Sequence, residues 1–171
     1  DAGGKMLIFE SFTGGLIAPE SEGDNPWKYK FTWNPRNVVL AGSGSAVKFK
    51  QEGLYKYIPY HQLFRRTEFV EVEGYGRFEG YANRDSVAYK EVYELKHVKS
   101  LVRGTLRGKG YAEAWDVLVQ LGCVGDVVEL SMADGASWND WIASFVGGFG
   151  DEVRARVQGQ TGASEKSMGL L

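Results

Sequence analysis

The chain has 171 residues, of which 43% are hydrophobic, 25% charged and 13% aromatic, a composition typical of one soluble globular domain and not of a disordered or collagen-like chain. Twenty basic residues against 22 acidic ones leave a net charge of −2, without the basic excess that binding to nucleic acid requires. One cysteine and two histidines exclude a disulfide scaffold and a zinc finger. No stretch approaches the roughly 20 apolar residues of a membrane span. We therefore expect a cytoplasmic protein with neither a nucleic-acid nor a membrane partner.

The N-terminal part of the chain predicts one strand and one helix. Residues 6–9 form an apolar run of strand length, and the polar, glycine-rich residues 10–15 follow it, a pattern typical of a buried strand that ends in a flexible loop. Asn25 precedes Pro26 as an N-cap precedes a proline in the first turn of a helix. The sequence therefore predicts a helix that starts at Pro26 and extends toward Gly42.

Alternation of apolar and polar residues then predicts two β-hairpins and a further strand. Residues 47–58 alternate around a turn at residues 51–53, and residues 69–81 alternate around a turn at residues 74–76. Residues 100–103 have the apolar character of another strand.

Helical spacing of apolar residues dominates the C-terminal half. Ser86 is predicted to cap a short helix, a longer helix is predicted over residues 111–121 with Gly122 ending it, and a third over residues 138–145. The tail, residues 159–171, is rich in small and polar residues without periodicity and predicts loose attachment.

Hairpins interleaved with helices predict an α+β fold, in which helices pack on a mixed, mainly antiparallel sheet within a single domain over residues 1–171. The glycine clusters at residues 42–44 and 108–110 lack the third glycine and the strand-to-helix setting of a dinucleotide fingerprint. Both are predicted to be turns, and no Rossmann domain is expected in this chain. Because the chain starts without methionine, we expect it to be cut from a longer protein.

The first candidate binding group follows a predicted strand and contains Arg84. Strand ends are common places for binding residues, and a guanidinium presents paired donors that match a carboxylate. The alternative is a surface ion pair between Arg84 and Asp85, with Ser86 as a helix cap.

A second candidate group contains Arg103 and Arg107, separated by small residues. Two guanidinium groups would suit an acid with several carboxylates. The alternative is that both side chains are solvated and flank a turn. His61, His97 and Cys123 lie in unrelated contexts and predict neither a metal site nor a catalytic dyad.

Four motifs occur in order along the chain: SFTGGLIAPE at residues 11–20, NPWKYKFTW at 25–33, NRDS at 83–86 and RGTLR at 103–107. Together they resemble the second domain of the glutamate-forming saccharopine dehydrogenases, over about residues 5–122 of this chain.

The resemblance implies a fold similar to the catalytic domain of glyceraldehyde-phosphate dehydrogenases. The matched core would cover residues 5–122, followed by a helical extension over residues 123–158 and the loose tail. It implies an enzyme of lysine metabolism that interconverts saccharopine with glutamate and 2-aminoadipate semialdehyde by hydride transfer with NADP or NAD. The dinucleotide would bind mainly to a Rossmann domain outside this chain.

The resemblance also assigns site residues, without identifying the catalytic acid or base. Arg84 would hold a substrate carboxylate, Thr105, Leu106 and Arg107 would line the same substrate, Trp33 would lie on the cofactor side of the cleft, and Gly14 and Gly15 are candidate loop contacts.

The expected partners are a small amino-acid substrate, the missing nucleotide-binding domain and a second copy in a homodimer, and we expect the isolated chain to be inactive. Two alternatives remain at this point. One is a related polyamine enzyme similar to carboxynorspermidine dehydrogenase, and the other is a non-catalytic assembly module that kept the fold.

Overall fold

A computed structural model describes residues 3–32, 34–41, 46–127 and 129–171. Within these residues, six strands form one mixed sheet, with the order β3-β2-β6-β5-β4 and with β1 also paired to β6. The strands are β1 Ile8–Thr13, β2 Val47–Gln51, β3 Leu54–Ile58, β4 Glu68–Val72, β5 Gly76–Ala82 and β6 Ser100–Arg107.

Strand β6 is the central strand and pairs with three others. It runs parallel to β1, with Thr13 opposite Thr105, and antiparallel to β5, with Ala82 opposite Gly104. It also pairs antiparallel with β2 at Leu101. The predicted mixed, mainly antiparallel sheet is therefore confirmed, and so are the two predicted hairpins, β2–β3 and β4–β5.

Eight helices accompany the sheet in the described residues. They are α1 Pro19–Glu22, α2 Pro35–Val39, α3 Tyr60–Leu63, α4 Tyr89–Val92, α5 Tyr111–Gln120, α6 Trp138–Val146, α7 Glu152–Thr161 and α8 Glu165–Met168. The helices predicted over residues 111–121 and 138–145 are confirmed as α5 and α6. In the part of the chain that the structure describes, no helix has the length and apolar character needed to cross a membrane.

Helix α5 packs against the sheet and forms the main core. Tyr111, Trp115 and Val119 recur at helical spacing on its buried face, and they cluster with Val47 and Ile58 of the β2–β3 hairpin. Full burial of such side chains contributes about 1.5–3 kcal/mol each. The pattern that predicts the helix therefore also accounts for its attachment.

The prediction of a helix from Pro26 is wrong, because a turn forms there instead. The Asn25 side chain accepts a hydrogen bond from the Trp27 amide at 3.0 Å and donates one to the Tyr29 carbonyl at 2.8 Å. These bonds close the turn, as asparagine commonly does in loops. The same residue pair recurs at Asn34-Pro35, where it does start helix α2.

Helix α4 forms where a short helix is predicted, but Ser86 does not cap it. Ser86 is fully buried, and its hydroxyl accepts from the Arg103 amide at 2.9 Å and donates to the Arg103 carbonyl at 3.4 Å. Asp85 instead accepts from the Ala88 amide at 3.0 Å. Ser86 therefore joins the end of β5 to β6.

Strand β1 is longer and more exposed than the apolar run at its start predicts. Its pairing with β6 continues through Thr13, inside the segment predicted to be a loop. The prediction of burial is wrong at its start, since Leu7 and Ile8 are 52% and 60% exposed. The physical reason is its position, because β1 pairs with β6 alone and its first residues lie at a sheet edge.

The prediction of a loose tail over residues 159–171 is also wrong. Ser164 caps helix α8 by accepting from the Ser167 amide at 3.2 Å. Met168 is buried in a cluster with valines of α5, α6 and α7, and the Leu170 carbonyl accepts from the Trp27 indole at 2.9 Å. These contacts attach the tail to the domain. They involve residues far away in the chain, so the composition of the tail alone does not predict them.

The ring of Phe12 lies over two glycines of the sheet. A methyl group at Gly104 would overlap the ring, and one at Gly80 would lie 3.1 Å from the ring and 2.8 Å from Val70. Packing therefore requires glycine at both positions, although neither forms a turn.

We expect Gly104→Ala to lower the free energy of unfolding by about 1–3 kcal/mol, the usual cost of overpacking. The new methyl group would have to displace the Phe12 ring, and with it β1. Urea unfolding followed by tryptophan fluorescence measures the change.

The matched control is Gly159→Ala in α7, where nothing beyond the adjacent residues and the helix's own backbone lies within 4 Å of the added methyl group. We expect this variant to match the parent or to gain up to about 1 kcal/mol from better helix propensity. Equal effects of the two substitutions would contradict the packing argument.

Glu113 on α5 connects this helix to α8, and it makes stability depend on pH. Hydrogen bonds from Ser164 and Ser167 lower the pKa of the Glu113 carboxyl. Because the folded pKa lies below the unfolded value of about 4.3, the stabilisation is present above that value and is lost as the pH falls through the folded pKa.

We therefore expect Glu113→Gln to lower the unfolding free energy at pH 7 and to have a smaller effect at pH 3, measured by urea unfolding at both pH values. Glu20→Gln on the exposed helix α1 is the control. An effect of Glu113→Gln that is independent of pH would refute the assignment.

Candidate functional site

A cavity of about 250 Å³ lies between the sheet and helices α2, α3 and α5. Three arginines line it, Arg84, Arg103 and Arg107, together with Thr105. We call it the arginine cavity. The described residues that line it include several tyrosines but no aspartate or glutamate, so its wall carries positive charge without a negative counterpart.

The alternation of strand β6 brings these side chains together. Successive side chains of a strand point to opposite faces, so Arg103, Thr105 and Arg107 share the face that lines the cavity. Gly104 and Leu106 lie on the opposite face, where Gly104 meets the Phe12 ring. The alternative of solvated arginines flanking a turn is wrong, because the segment is a continuous strand.

Arg107 is the buried cation of the cavity, with 7% of its surface exposed. Its guanidinium carbon lies 4.4 Å from the centre of the Tyr29 ring and 5.2 Å from that of Tyr111. Its Nη1 donates to the Leu106 carbonyl at 2.9 Å, whereas its buried Nε has no hydrogen-bond partner in the described part of the chain. An unsatisfied buried donor costs about 1–3 kcal/mol, and an acceptor on a ligand would remove that cost.

Arg84 lies at the exit of β5 in a left-handed backbone conformation, with a φ of +46°. Main-chain hydrogen bonds hold this conformation on both sides: the Asn83 amide donates to the Arg103 carbonyl at 2.7 Å, and the Lys48 amide donates to the Arg84 carbonyl at 2.8 Å. The surface pair of Arg84 with Asp85 does not form, because Asp85 pairs with Lys48 at 3.4 Å. A residue held in a rare conformation by its surroundings is typical of a functional site.

The sequence pattern pairs Arg103 with Arg107 as a candidate group for an acid with several carboxylates, but the family resemblance assigns Arg103 no role. Its guanidinium carbon lies 3.7 Å from the centre of the Tyr89 ring. Steps of two residues separate Arg103 from Thr105 and Thr105 from Arg107, so all three share one face once residues 100–107 are recognised as one strand.

Three tyrosines of the cavity, Tyr60, Tyr81 and Tyr111, remain neutral hydrogen-bonding groups because burial raises their pKa values. Burial raises the pKa of Tyr81 to about 12, although the nearby Arg107 lowers it. Burial also raises the pKa values of Tyr111 and Tyr60, and the Tyr60 hydroxyl accepts from the Trp115 indole at 3.3 Å. The cavity thus combines fixed cations with neutral phenols, which suits a ligand rich in carboxylates.

The remaining residues implied by the resemblance lie apart from the arginine cavity or outside the described structure. Leu106 is buried on the other face of β6, and Gly14 packs directly against the Leu106 backbone. Gly15 lies nearest to Thr32 and Tyr29. Trp33 lies outside the described residues.

The glycine turn before α5 does not fit a dinucleotide phosphate. Such a phosphate would bind the free amides at the helix N-terminus, but the buried Glu79 carboxylate already accepts from the Gly110 and Ala112 amides at 2.7 and 2.9 Å. Among the residues that the structure describes, no cluster of metal-binding side chains occurs either. The three arginines that line the cavity make it suited to recognition of an anion.

The fold and cavity define an α+β domain suited to binding a small ligand with several carboxylates. Residues 1–162 match the family described as the saccharopine dehydrogenase C-terminal domain. The chain belongs to this family.

Curated relatives and a solved structure agree with this family. The chain is 35% identical over 147 residues to saccharopine dehydrogenase [NADP(+), L-glutamate-forming] of Saccharomyces cerevisiae, covering 85% of this chain and 32% of that protein. It is 31% identical over 150 residues to the mitochondrial alpha-aminoadipic semialdehyde synthase of Bos taurus, covering 86% of this chain and 16% of that protein.

The structure of apo histidine-tagged saccharopine dehydrogenase (L-Glu forming) from Saccharomyces cerevisiae superposes with a TM-score of 0.82 at 28% identity, covering 99% of this chain and 39% of that one. The chain thus spans about a third of the length of its yeast relative.

The unpaired donor of Arg107 leads to a stability prediction. Replacing a buried cation that has no anionic partner by a similar apolar side chain removes a desolvation cost. We expect Arg107→Met to raise the free energy of unfolding of the unliganded chain by about 1 kcal/mol, measured by urea unfolding.

The control is Arg65→Met, because the exposed Arg65 bonds Asp116 at 2.8 Å. We expect this control to lose at most about 1 kcal/mol. A larger loss for Arg107→Met than for Arg65→Met would mean that Arg107 is a structural residue.

Proposed function

We propose that this chain is the substrate-binding domain of a glutamate-forming saccharopine dehydrogenase, an NADP- or NAD-linked oxidoreductase of lysine metabolism that interconverts saccharopine with glutamate and 2-aminoadipate semialdehyde. The observation that carries the proposal is the meeting of Arg84 and Arg107 at one cavity, where neither has a carboxylate partner among the residues that the structure describes. Family membership and the names of the relatives support it.

The chemistry of the ligand matches the wall of the cavity. Saccharopine carries three carboxylates, and a guanidinium binds a carboxylate through two parallel charge-assisted hydrogen bonds. Arg84 and Arg107 would each hold one carboxylate, and the Thr105 hydroxyl adds a neutral donor beside them.

The role of this domain would be to bind and orient the substrate. Two aromatic rings contact the Arg107 guanidinium, and main-chain hydrogen bonds hold the Arg84 backbone. Carboxylates bound by these two residues would hold the reacting carbon–nitrogen bond in place. The nicotinamide dinucleotide supplies the redox chemistry. Because the Glu79 carboxylate already binds the amides at the α5 N-terminus, we assign the dinucleotide to a separate nucleotide-binding domain. The complete enzyme would work as a homodimer.

The direct test measures saccharopine binding to the 171-residue chain by calorimetry, and kcat/KM in the enzyme that combines it with its nucleotide-binding domain. We expect Arg84→Ala to lower kcat/KM. The decrease should correspond to a loss of about 1.5–3 kcal/mol in transition-state stabilisation, the contribution of one hydrogen bond to a charged group. The 171-residue chain alone is expected to show no turnover.

Arg77→Ala is the matched control, since Arg77 is an exposed arginine of β5 that pairs with Glu71 at 3.5 Å and does not line the cavity. Unchanged kcat/KM in Arg84→Ala would remove Arg84 from the site. Absence of saccharopine binding by the parent chain would overturn the proposed function.

A further inference from the structure

We propose that Arg103, stacked on Tyr89, is a specificity-determining residue of the arginine cavity: it binds the third carboxylate of the substrate and selects a tricarboxylate over a dicarboxylate. This inference rests on the proposed function, which by itself requires only Arg84 and Arg107.

The position of Arg103 points to a binding role. It lies two residues before Thr105 on the same face of β6, and it lines the cavity with Arg84 and Arg107. These three arginines are the cationic residues among the described residues that line the cavity. A third anionic group in the cavity would therefore have Arg103 as its partner.

The contacts of Arg103 orient its guanidinium without using its donors. Its guanidinium carbon lies 3.7 Å from the centre of the Tyr89 ring, a distance typical of a cation–π stack. The hydrogen bonds of Arg103 within the described residues are those of its main chain, to Ser86 and Asn83, and none of the described ion pairs includes it. The stack fixes one face of the group, and the N–H donors at its edge remain free for a ligand.

The same backbone network couples Arg103 to Arg84. The Asn83 amide donates to the Arg103 carbonyl at 2.7 Å, and the Ser86 hydroxyl bonds both main-chain groups of Arg103. Since these bonds flank the strained residue Arg84, they fix the relative position of the two backbone segments from which the guanidinium groups extend. A rigid arrangement of cations can discriminate between ligands that differ by one carboxylate, because the unmatched cation or anion is left unpaired.

The experiment compares saccharopine with its three mono-carboxamides, each of which has one carboxylate replaced by a neutral amide. Binding of all four ligands to the 171-residue chain is measured by calorimetry. We expect the parent to bind saccharopine more tightly than each amide.

We expect Arg103→Met to weaken saccharopine binding about 10-fold, the loss of one charged hydrogen-bonded contact. For two of the mono-carboxamides the loss should be similar. For the third mono-carboxamide, Arg103→Met should cause no loss of affinity, because that ligand lacks the carboxylate that Arg103 binds. Loss of structure alone would not produce this selective pattern.

Two further variants make the test specific. Tyr89→Leu keeps the charge of Arg103 and removes the stack, and we expect the same ligand pattern with a smaller loss of about 3-fold. Arg77→Met is the matched control, because Arg77 stacks on Phe69 at 3.8 Å but lies outside the cavity, and its binding should equal that of the parent.

Each outcome decides the inference. If Arg103→Met has no effect, or weakens all four ligands equally, Arg103 does not bind a carboxylate, while saccharopine binding by the parent keeps the proposed function intact. If the parent does not bind saccharopine, the proposed function and this inference are both overturned.

Discussion

Strand β6 imposes the constraint on which the rest of the structure depends. It pairs with β1, β2 and β5, so its backbone cannot shift without breaking several ladders of hydrogen bonds. Because side chains alternate along it, one face carries Arg103, Thr105 and Arg107, while the other presents Gly104 to the ring of Phe12. The close packing on one face thereby fixes the register of the charged residues on the other.

The arginine cavity is maintained at a cost in stability. Arg107 is buried among aromatic rings, with an Nε that has no hydrogen-bond partner among the described residues, and Arg84 has a left-handed backbone. Both features are unfavourable in the unliganded chain. They persist because tertiary contacts determine them: the core residues Tyr111 and Trp115 form part of the cavity wall, so the apolar packing that stabilises the fold also holds the cations in place.

Helix α5 connects this wall to the distant parts of the chain. The Glu79 carboxylate binds its N-terminal amides, and Glu113 accepts hydrogen bonds from the helix α8 region. Trp27 packs edge-on against Tyr111 and also donates to the Leu170 carbonyl. The C-terminal segment therefore supports the back of the cavity wall, although its composition alone predicts a loose tail.

Local periodicity determined much of this protein, since the two hairpins and helices α5 and α6 follow from patterns in neighbouring residues and together predict the mixed sheet. The resemblance of four short motifs to known enzymes indicated the family. Only the tertiary structure decided which side chains meet. Asn25-Pro26 closes a turn while Asn34-Pro35 starts a helix, and Arg84 comes to share a cavity with Arg103, whereas Leu106 faces away. The physical reason is that strand pairing and burial join residues far apart in the chain, and sequence pattern reports only local preference.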